Sequence, residues 1–169
     1  MRRGWWYLLG IAAAIGLLLA LVWPMVEREM MRDPIMRAVD AVRAADVDAL
    51  QECFTADAEV TYSRASADGN AAVTVPVETM ITLLQPHMIS GELRGSAHVG
   101  DLENLTYPEK GRVVADVTIT FFIEGNEDLP YRSIPVRRSG RIELRRIGFL
   151  TYQIRRISTD AREFQYRLQ

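Results

Sequence analysis

The stretch RVVADVTITFFIE, residues 112–124, decides the fold class of this chain. Apolar and polar side chains alternate along it, which is the pattern of a β-strand with one buried face. The apolar face consists of Val113, Ala115, Val117, Ile119, Phe121 and Ile123, and the polar face of Asp116, Thr118 and Thr120. The preceding residues 108–111, Pro-Glu-Lys-Gly, are typical of a tight turn, so we predict a hairpin with a strand at 96–107.

Three further strands are predicted outside this hairpin. One begins at Ala58, and two follow the hairpin at 133–147 and 149–157, with a break at Gly148. Polar loops are expected at Asp68 and Gly69 and at 125–130. The side chains expected to face the helices are Ile142, Leu144, Leu150 and Tyr152. The last four strands are therefore predicted to form an antiparallel sheet.

Helical spacing of apolar residues predicts three helices. Asp33 and Pro34 are typical of a helix start, and apolar residues recur after them at three- and four-residue spacing. Asp46 is predicted to cap a short second helix, whose inward residues are Leu50, Cys53 and Phe54. The third helix is predicted at 76–85 and is expected to stop at Pro86. Helices, a strand, a helix and then a run of strands indicate an α+β domain.

Residues 5–23, WWYLLGIAAAIGLLLALVW, predict a transmembrane helix, since no charge occurs between positions 4 and 26. As a helix the stretch would be about 28 Å long, close to the thickness of a hydrocarbon core. Aromatic residues at both ends are typical of the membrane interface. The run is too long for a signal peptide, and 21–25 lacks small residues for cleavage, so we expect a retained signal anchor in the lipid bilayer.

The same segment suggests an organisation for the whole chain. We expect a short basic tail at 1–4, a linker at 24–32, a soluble domain at 33–159 and a C-terminal tail at 160–169. Arg2 and Arg3 favour a single-pass protein with an extracytoplasmic domain, although arginines at 28, 32 and 37 oppose this orientation. A stripe of small residues would let a second helix approach closely, as in a homodimer: Ala12, Gly16 and Ala20.

Charge is unevenly distributed along the soluble part. Residues 40–128 hold sixteen acidic side chains against five basic ones, and 132–156 hold eight arginines against Glu143 alone. This asymmetry marks either a surface for an anionic partner, such as lipid, or two parts of one fold that attract each other. Nucleic acid is not an expected partner.

The segments ADVDALQECFTADAEVTY (45–62) and GRIELRRIGFLTYQIRRIS (140–158) resemble a nuclear transport factor 2-like (SnoaL-like) domain. The resemblance covers roughly 33–159 and rests on apolar spacing rather than on an invariant signature. It implies a curved antiparallel sheet wrapped on three helices around a conical pocket. It also implies frequent dimerisation through the outer face of the sheet.

Enzymes of that family use an acid together with a tyrosine, a histidine or a second acid that faces the pocket. Here Asp116 and His98 fall on the polar side of their strands, and His87 follows a helix end, so no catalytic residue is predicted. Glycine-rich phosphate loops and nucleophile motifs are absent. With one cysteine and two histidines, no metal site and no cofactor are expected.

Arginines on the apolar side of the strand that begins at Ile134 give the one candidate ligand site. Arg138 and Arg146, together with Tyr152, would bind a carboxylate or phosphate at the mouth of the cone. A bulge at Gly140 would change this alternation.

Three functions fit these observations. The first is a membrane-anchored, non-catalytic binding or interaction module. The second is a membrane-tethered isomerase or dehydratase that acts on a small apolar substrate. The third is a domain that docks on anionic lipid through the arginine-rich hairpin.

Overall fold

The computed structural model describes residues 3–66, 69–90, 96–123 and 134–159. The helices are α1 (Arg3–Ala44), α2 (Val47–Glu52) and α3 (Val77–Ser90). The strands are β1 (Phe54–Ser66), β2 (Gly69–Pro76), β3 (Ser96–Val99), β4 (Glu103–Glu109), β5 (Arg112–Ile123), β6 (Ile134–Arg146) and β7 (Tyr152–Thr159). Several predicted features lie outside the described residues: the loop at 125–130, the tail at 160–169, Asp68, and the side chains of Trp5, Trp6, Tyr7, Phe121 and Ile123.

The seven strands form one curved sheet in the order β2-β1-β7-β6-β5-β3, with β4 also paired to β5. The predicted α+β class is confirmed. All neighbouring pairs are antiparallel except β1 and β7, which run parallel. Apart from this one pair the curved sheet is antiparallel, as expected. β1 and β7 come from opposite ends of the domain, so no short hairpin connects them and fixes their relative direction.

One face of the sheet packs on the helices and forms the core. Val113, Ala115 and Val117 are buried there, as the alternation in β5 predicts. From the last two strands, Ile142, Leu144, Tyr152 and Ile154 join them. Leu150 was expected in this group but is exposed, because it lies in the turn between β6 and β7 rather than in a strand.

The predicted hairpin is present as β4 and β5. Its turn is Lys110 and Gly111, and Gly111 has a positive φ of 79° that favours glycine. The expected strand at 96–107 is two strands, because the chain leaves the sheet between Val99 and Glu103. The backbone N–H of Gly100 donates to the carbonyl of Thr118 at 2.8 Å, and Leu102 is buried in the core. Asp101 and Leu102, in this segment outside the sheet, form one wall of a groove beside α1.

The first helix differs most from the expectation. α1 is one helix of 42 residues that runs through Pro24 and Pro34, so the linker expected at 24–32 is helical. A proline inside a helix costs about 3 kcal/mol. Met31, Ile35, Ala38 and Ala41 are buried on one side of the helix, and a large apolar side chain alone contributes about 1.5–3 kcal/mol when buried. At Pro34 burial therefore outweighs the missing hydrogen bond, whereas Pro24 lies in the exposed part of the helix.

The third helix shows the same effect at its end. α3 continues through Pro86 to Ser90, where Met88 is almost fully buried. Pro86 was expected to stop the helix, but burial of Met88 stabilises one more turn.

Strand β2 was not predicted, because its sequence, GNAAVTVP, has small residues and little alternation. It pairs with β1 over eight positions.

The outer face of the sheet carries an ion-pair layer. Glu143 is buried there between Arg112, at 2.8 Å, and Arg155, at 3.0 Å. The register shifts between β6 and β7, from Glu143 opposite Arg156 to Leu144 opposite Ile154, so Arg155 is an extra residue in a bulge. Further arginines pair with acids from earlier in the chain: Arg141 with Asp116, Arg145 and Arg155 with Asp57, and Arg156 with Glu59. Four arginines of the basic segment thus pair with carboxylates of the acidic one, as expected if the two parts of the fold attract each other.

Glu143 tests this layer. Glu143→Gln removes the charge that accepts hydrogen bonds from two guanidinium groups, and we expect it to lower the free energy of unfolding by about 1–3 kcal/mol. Chemical unfolding of the detergent-solubilised protein measures the change. Glu103→Gln, at an exposed position on β4, is the matched control and should change stability by less than about 0.5 kcal/mol. Equal effects of the two substitutions would contradict the role assigned to Glu143.

Candidate ligand groove

A groove of about 750 Å³ lies where α1 crosses the edge of the sheet. Residues 25–33 of α1 form one wall, Asp101 and Leu102 form a second, and residues 150–152 form a third. A smaller cavity of about 360 Å³ lies on the other side of Tyr152, against Glu27, Tyr107 and Arg146. Tyr152 lines both spaces. Tyr152 is therefore the side chain that the groove and the smaller cavity share.

Arg32 ties α1 to the second wall. One guanidinium nitrogen donates to the carbonyl of Val99 at 2.8 Å, and another lies 3.0 Å from Glu29 and 3.7 Å from Asp101. The side chain is only 17 % exposed. Because the bond to Val99 reaches the end of β3, it fixes the distance between the helix and the sheet edge, and therefore the width of the groove.

Tyr152 ties α1 to the third wall. Its hydroxyl donates to a carboxylate oxygen of Glu27 at 3.1 Å, and the residue is 3 % exposed. Burial raises the pKa of the Tyr152 phenol, and the hydrogen bond to Glu27 raises it further. Burial, followed by the charge of Glu27, also raises the pKa of Tyr107. Tyr152 therefore keeps its proton at neutral pH and acts as a donor toward a carboxylate.

The structure brings together two of the three predicted ligand residues. Arg146 and Tyr152 are opposite each other across the β6 and β7 pair, and both line the smaller cavity. Arg138 is opposite Ile119, eight residues away along β6, which corresponds to roughly 26 Å. It lines neither of the two spaces, so the structure does not bring Arg138 together with Arg146, and its role in ligand binding stays a prediction.

The guanidinium of Arg146 is also engaged by its own turn. It donates to the carbonyls of Gly148, at 3.0 Å, and Phe149, and lies 5.7 Å from the centre of the Phe149 ring. These contacts hold it over the turn between β6 and β7. They leave it less suited to bind an anionic ligand than a free arginine at the mouth of a pocket would be.

Other residues considered from the sequence have structural surroundings. Asp116 accepts hydrogen bonds from Asn104 at 2.9 Å and Arg141 at 3.0 Å, which lower its pKa in that order. His98 and His87 are exposed, and Cys53 is a buried core residue whose thiol pKa is raised by burial. Within the described residues no group of three or more His, Cys, Asp or Glu side chains could hold a metal ion.

Sequence reasoning missed Glu27 and Arg32, because both lie in the segment expected to be a linker. A signal was present nonetheless. Apolar residues at 26, 30, 31, 35, 38 and 42 keep helical spacing across Pro34. Following that spacing back toward the apolar N-terminal segment would have predicted one helix and placed both charged residues on it.

Comparison with known proteins supports the fold. No protein-family model and no curated protein matches the sequence. A nuclear transport factor 2-like protein with a cystatin-like fold from Novosphingobium aromaticivorans superposes with a TM-score of 0.59, at 17 % identity, over 85 % of this chain and 86 % of its own. The fold is nuclear transport factor 2-like. The family resemblance seen in the sequence is confirmed at the level of fold.

Two further solved structures share this fold. A nuclear transport factor 2-like protein from Cytophaga hutchinsonii has a TM-score of 0.53, with 17 % identity, over 79 % of this chain and 96 % of its own. A candidate scytalone dehydratase from Novosphingobium aromaticivorans has a TM-score of 0.56, with 10 % identity, over 80 % of this chain and 83 % of its own. At these identities the likeness extends to the fold alone.

In the part that the structure describes, the interior of this nuclear transport factor 2-like domain is filled with side chains. Met31, Met88 and Leu144 are fully buried between the helices and the sheet. Among the described residues, the buried polar or charged side chains are Thr55 and Glu143, and neither lines the groove. The groove therefore lies at the rim of the domain, beside α1. The acidic side chain that contacts Tyr152 is Glu27, which is half-buried.

The raised pKa of Tyr152 predicts a pH dependence of stability. The folded state holds the Tyr152 proton more tightly than the unfolded state does. The contribution of this proton to the free energy of unfolding is therefore complete below about pH 10 and is lost as the pH rises through the pKa of the folded state. Tyr152→Phe should remove that part of the alkaline loss, as measured by chemical unfolding across this range. Glu27→Gln removes the second cause of the shift and should give an intermediate slope. An unchanged slope in Tyr152→Phe would contradict the assignment.

Proposed function

We propose that this protein is a membrane-anchored binding module that holds a small, largely apolar molecule in the groove beside α1. The observation that carries the proposal is the continuity of α1. The same helix that provides the apolar N-terminal segment also provides one wall of the groove, within a few residues of the end of that segment. The groove is thereby presented at the membrane surface.

Membrane insertion is supported by what surrounds the N-terminal half of α1. The helix is long and apolar enough to cross a membrane, and the described residues of its apolar part, from Ile11 to Val22, are exposed. Leu17, Leu18 and Leu21 are each more than half exposed. Such a surface is unfavourable in water and favourable in a bilayer. Arginines at positions 2 and 3 favour a single pass with the domain on the extracytoplasmic side.

The groove has the size and lining of a small-molecule site. Its volume falls within the range of about 300–1,000 Å³ that is typical of ligand pockets. Apolar contact is offered by Met25, Val26, Met30, Leu102 and Leu150, and charged side chains surround them. An apolar molecule that partitions into the bilayer could reach the groove from there. Dimerisation through the stripe of Ala12, Gly16 and Ala20, or through the outer face of the sheet, stays a prediction.

Acid–base catalysis in the smaller cavity, which Glu27 and Tyr152 both line, is the second candidate function. Once a substrate displaces the hydrogen bond between them, the carboxylate can remove a proton while the protonated phenol donates to the oxygen that becomes negative. An isomerase or dehydratase of a small apolar substrate needs such a pair. We place it second because Glu27 lies at the rim, where solvent reaches it.

Filling the groove tests the binding function. The full-length protein in lipid nanodiscs is screened by ligand-observed NMR against a library of small apolar and amphipathic compounds. Val26→Trp places an indole in the groove, and compounds that bind the wild type should lose at least about tenfold in affinity. Met36→Trp is the matched control, because Met36 is also exposed on α1 but does not line the groove.

The outcomes separate the candidate functions. Binding that is lost in Val26→Trp and kept in Met36→Trp supports a binding module. Equal binding to the wild type and to Val26→Trp, or no binding to the wild type, contradicts it. If the wild type converts a bound compound, and Glu27→Gln abolishes the conversion but not the binding, the protein is an enzyme instead.

A further inference from the structure

The turn between β6 and β7, residues 147–150, is an exposed apolar projection. Ile147 is 54 % exposed, Phe149 is 76 % exposed and Leu150 is 37 % exposed. Exposed single apolar residues are common, but three within four positions at one tip are not explained by the packing of the domain. Neither the groove nor the core accounts for the position of Phe149.

The turn lies beside the end of the apolar N-terminal segment. The ring centres of Phe149 and Trp23 are 6.3 Å apart, in a tilted arrangement. Trp23 is the last residue of the predicted span, at a position where an indole ring favours the interface between acyl chains and headgroups. A ring that contacts Trp23 must lie at nearly the same depth. Phe149 is therefore at the bilayer boundary whenever the N-terminal helix is inserted.

Part of the polar backbone of the turn forms hydrogen bonds within the protein. The guanidinium of Arg146 donates to the carbonyls of Gly148 and Phe149, and the N–H of Ile147 donates to the carbonyl of Thr151 at 2.9 Å. Unpaired backbone groups are what make an irregular segment unfavourable in an apolar environment. These hydrogen bonds lower that cost and leave apolar side chains as the outer surface of the turn.

We propose that the turn at 147–150 is a second membrane contact, which inserts Phe149 and its apolar neighbours into the lipid interface beside Trp23. The inference rests on the proposed membrane anchor. With the helix and the turn both in the bilayer, the domain is held at two points, which limits its tilt relative to the membrane surface. The groove then keeps one orientation relative to the membrane surface.

Site-directed labelling of the full-length protein in lipid vesicles tests this contact. Phe149→Cys is labelled with a polarity-sensitive fluorophore, and Cys53 stays in place because it is buried. Asp48→Cys is the matched control, since Asp48 is exposed just beyond the far end of α1, roughly 30 Å from Trp23 along the helix axis. Quenching is measured with nitroxide-bearing lipids and with aqueous iodide. Ile147→Cys repeats the measurement at a second position of the turn.

The label at 149 should be quenched several-fold more by the lipid quencher than the label at 48, and several-fold less by iodide. Quenching of both labels by iodide alone, in protein that resists alkaline carbonate extraction, would place the turn in water and overturn this inference while the anchor stands. Protection of the label from both quenchers would mean that another protein surface covers the turn, and would overturn it too. Extraction by carbonate would overturn the anchor and the second contact together.

Discussion

Burial of one side of α1 against the sheet is the interaction on which the other features depend. Met31, Ile35, Ala38 and Ala41 lie in the core, and their burial keeps the chain helical through Pro34. The hydrogen bonds from Arg32 to Val99 and from Tyr152 to Glu27 then fix both edges of the groove. Because the same helix begins as the apolar segment, its packing would also determine where the domain sits relative to a membrane if that segment is the anchor we propose.

Local patterns in the sequence predicted much of this fold. Alternation in β5 identified the buried face of the sheet, and the tight turn before it identified the hairpin with β4. These features depend on neighbours close in sequence. The parallel pairing of β1 and β7 does not, since it joins segments about a hundred residues apart. Proline was misleading for the same reason: its local cost is known, but the burial that outweighs it comes from distant residues.

The candidate site was harder to predict than the fold. Tyr152 was chosen from its position in β7, but its partner Glu27 lies 125 residues earlier, in a segment that was expected to be a linker. Arg138 and Arg146 share a side of β6 by alternation, yet the length of the strand separates them. The arginine-rich hairpin suggested an anionic partner, and several of its charges prove to pair with carboxylates of the same domain. The face of a strand on which a side chain lies can be predicted from the sequence, but the residue that it will contact there cannot be predicted in the same way.

Amide hydrogen exchange across residues 24–34, in the full-length protein in nanodiscs, tests the continuity of α1 most directly. A single packed helix predicts slow exchange without interruption from Met25 to Asp33, comparable to the protection of the buried turns around Ala38. Fast exchange confined to these residues, with slow exchange on both sides, is what a flexible linker would give. That result would contradict the account, because the domain could then move independently of its anchor and the groove would have no fixed place at the membrane.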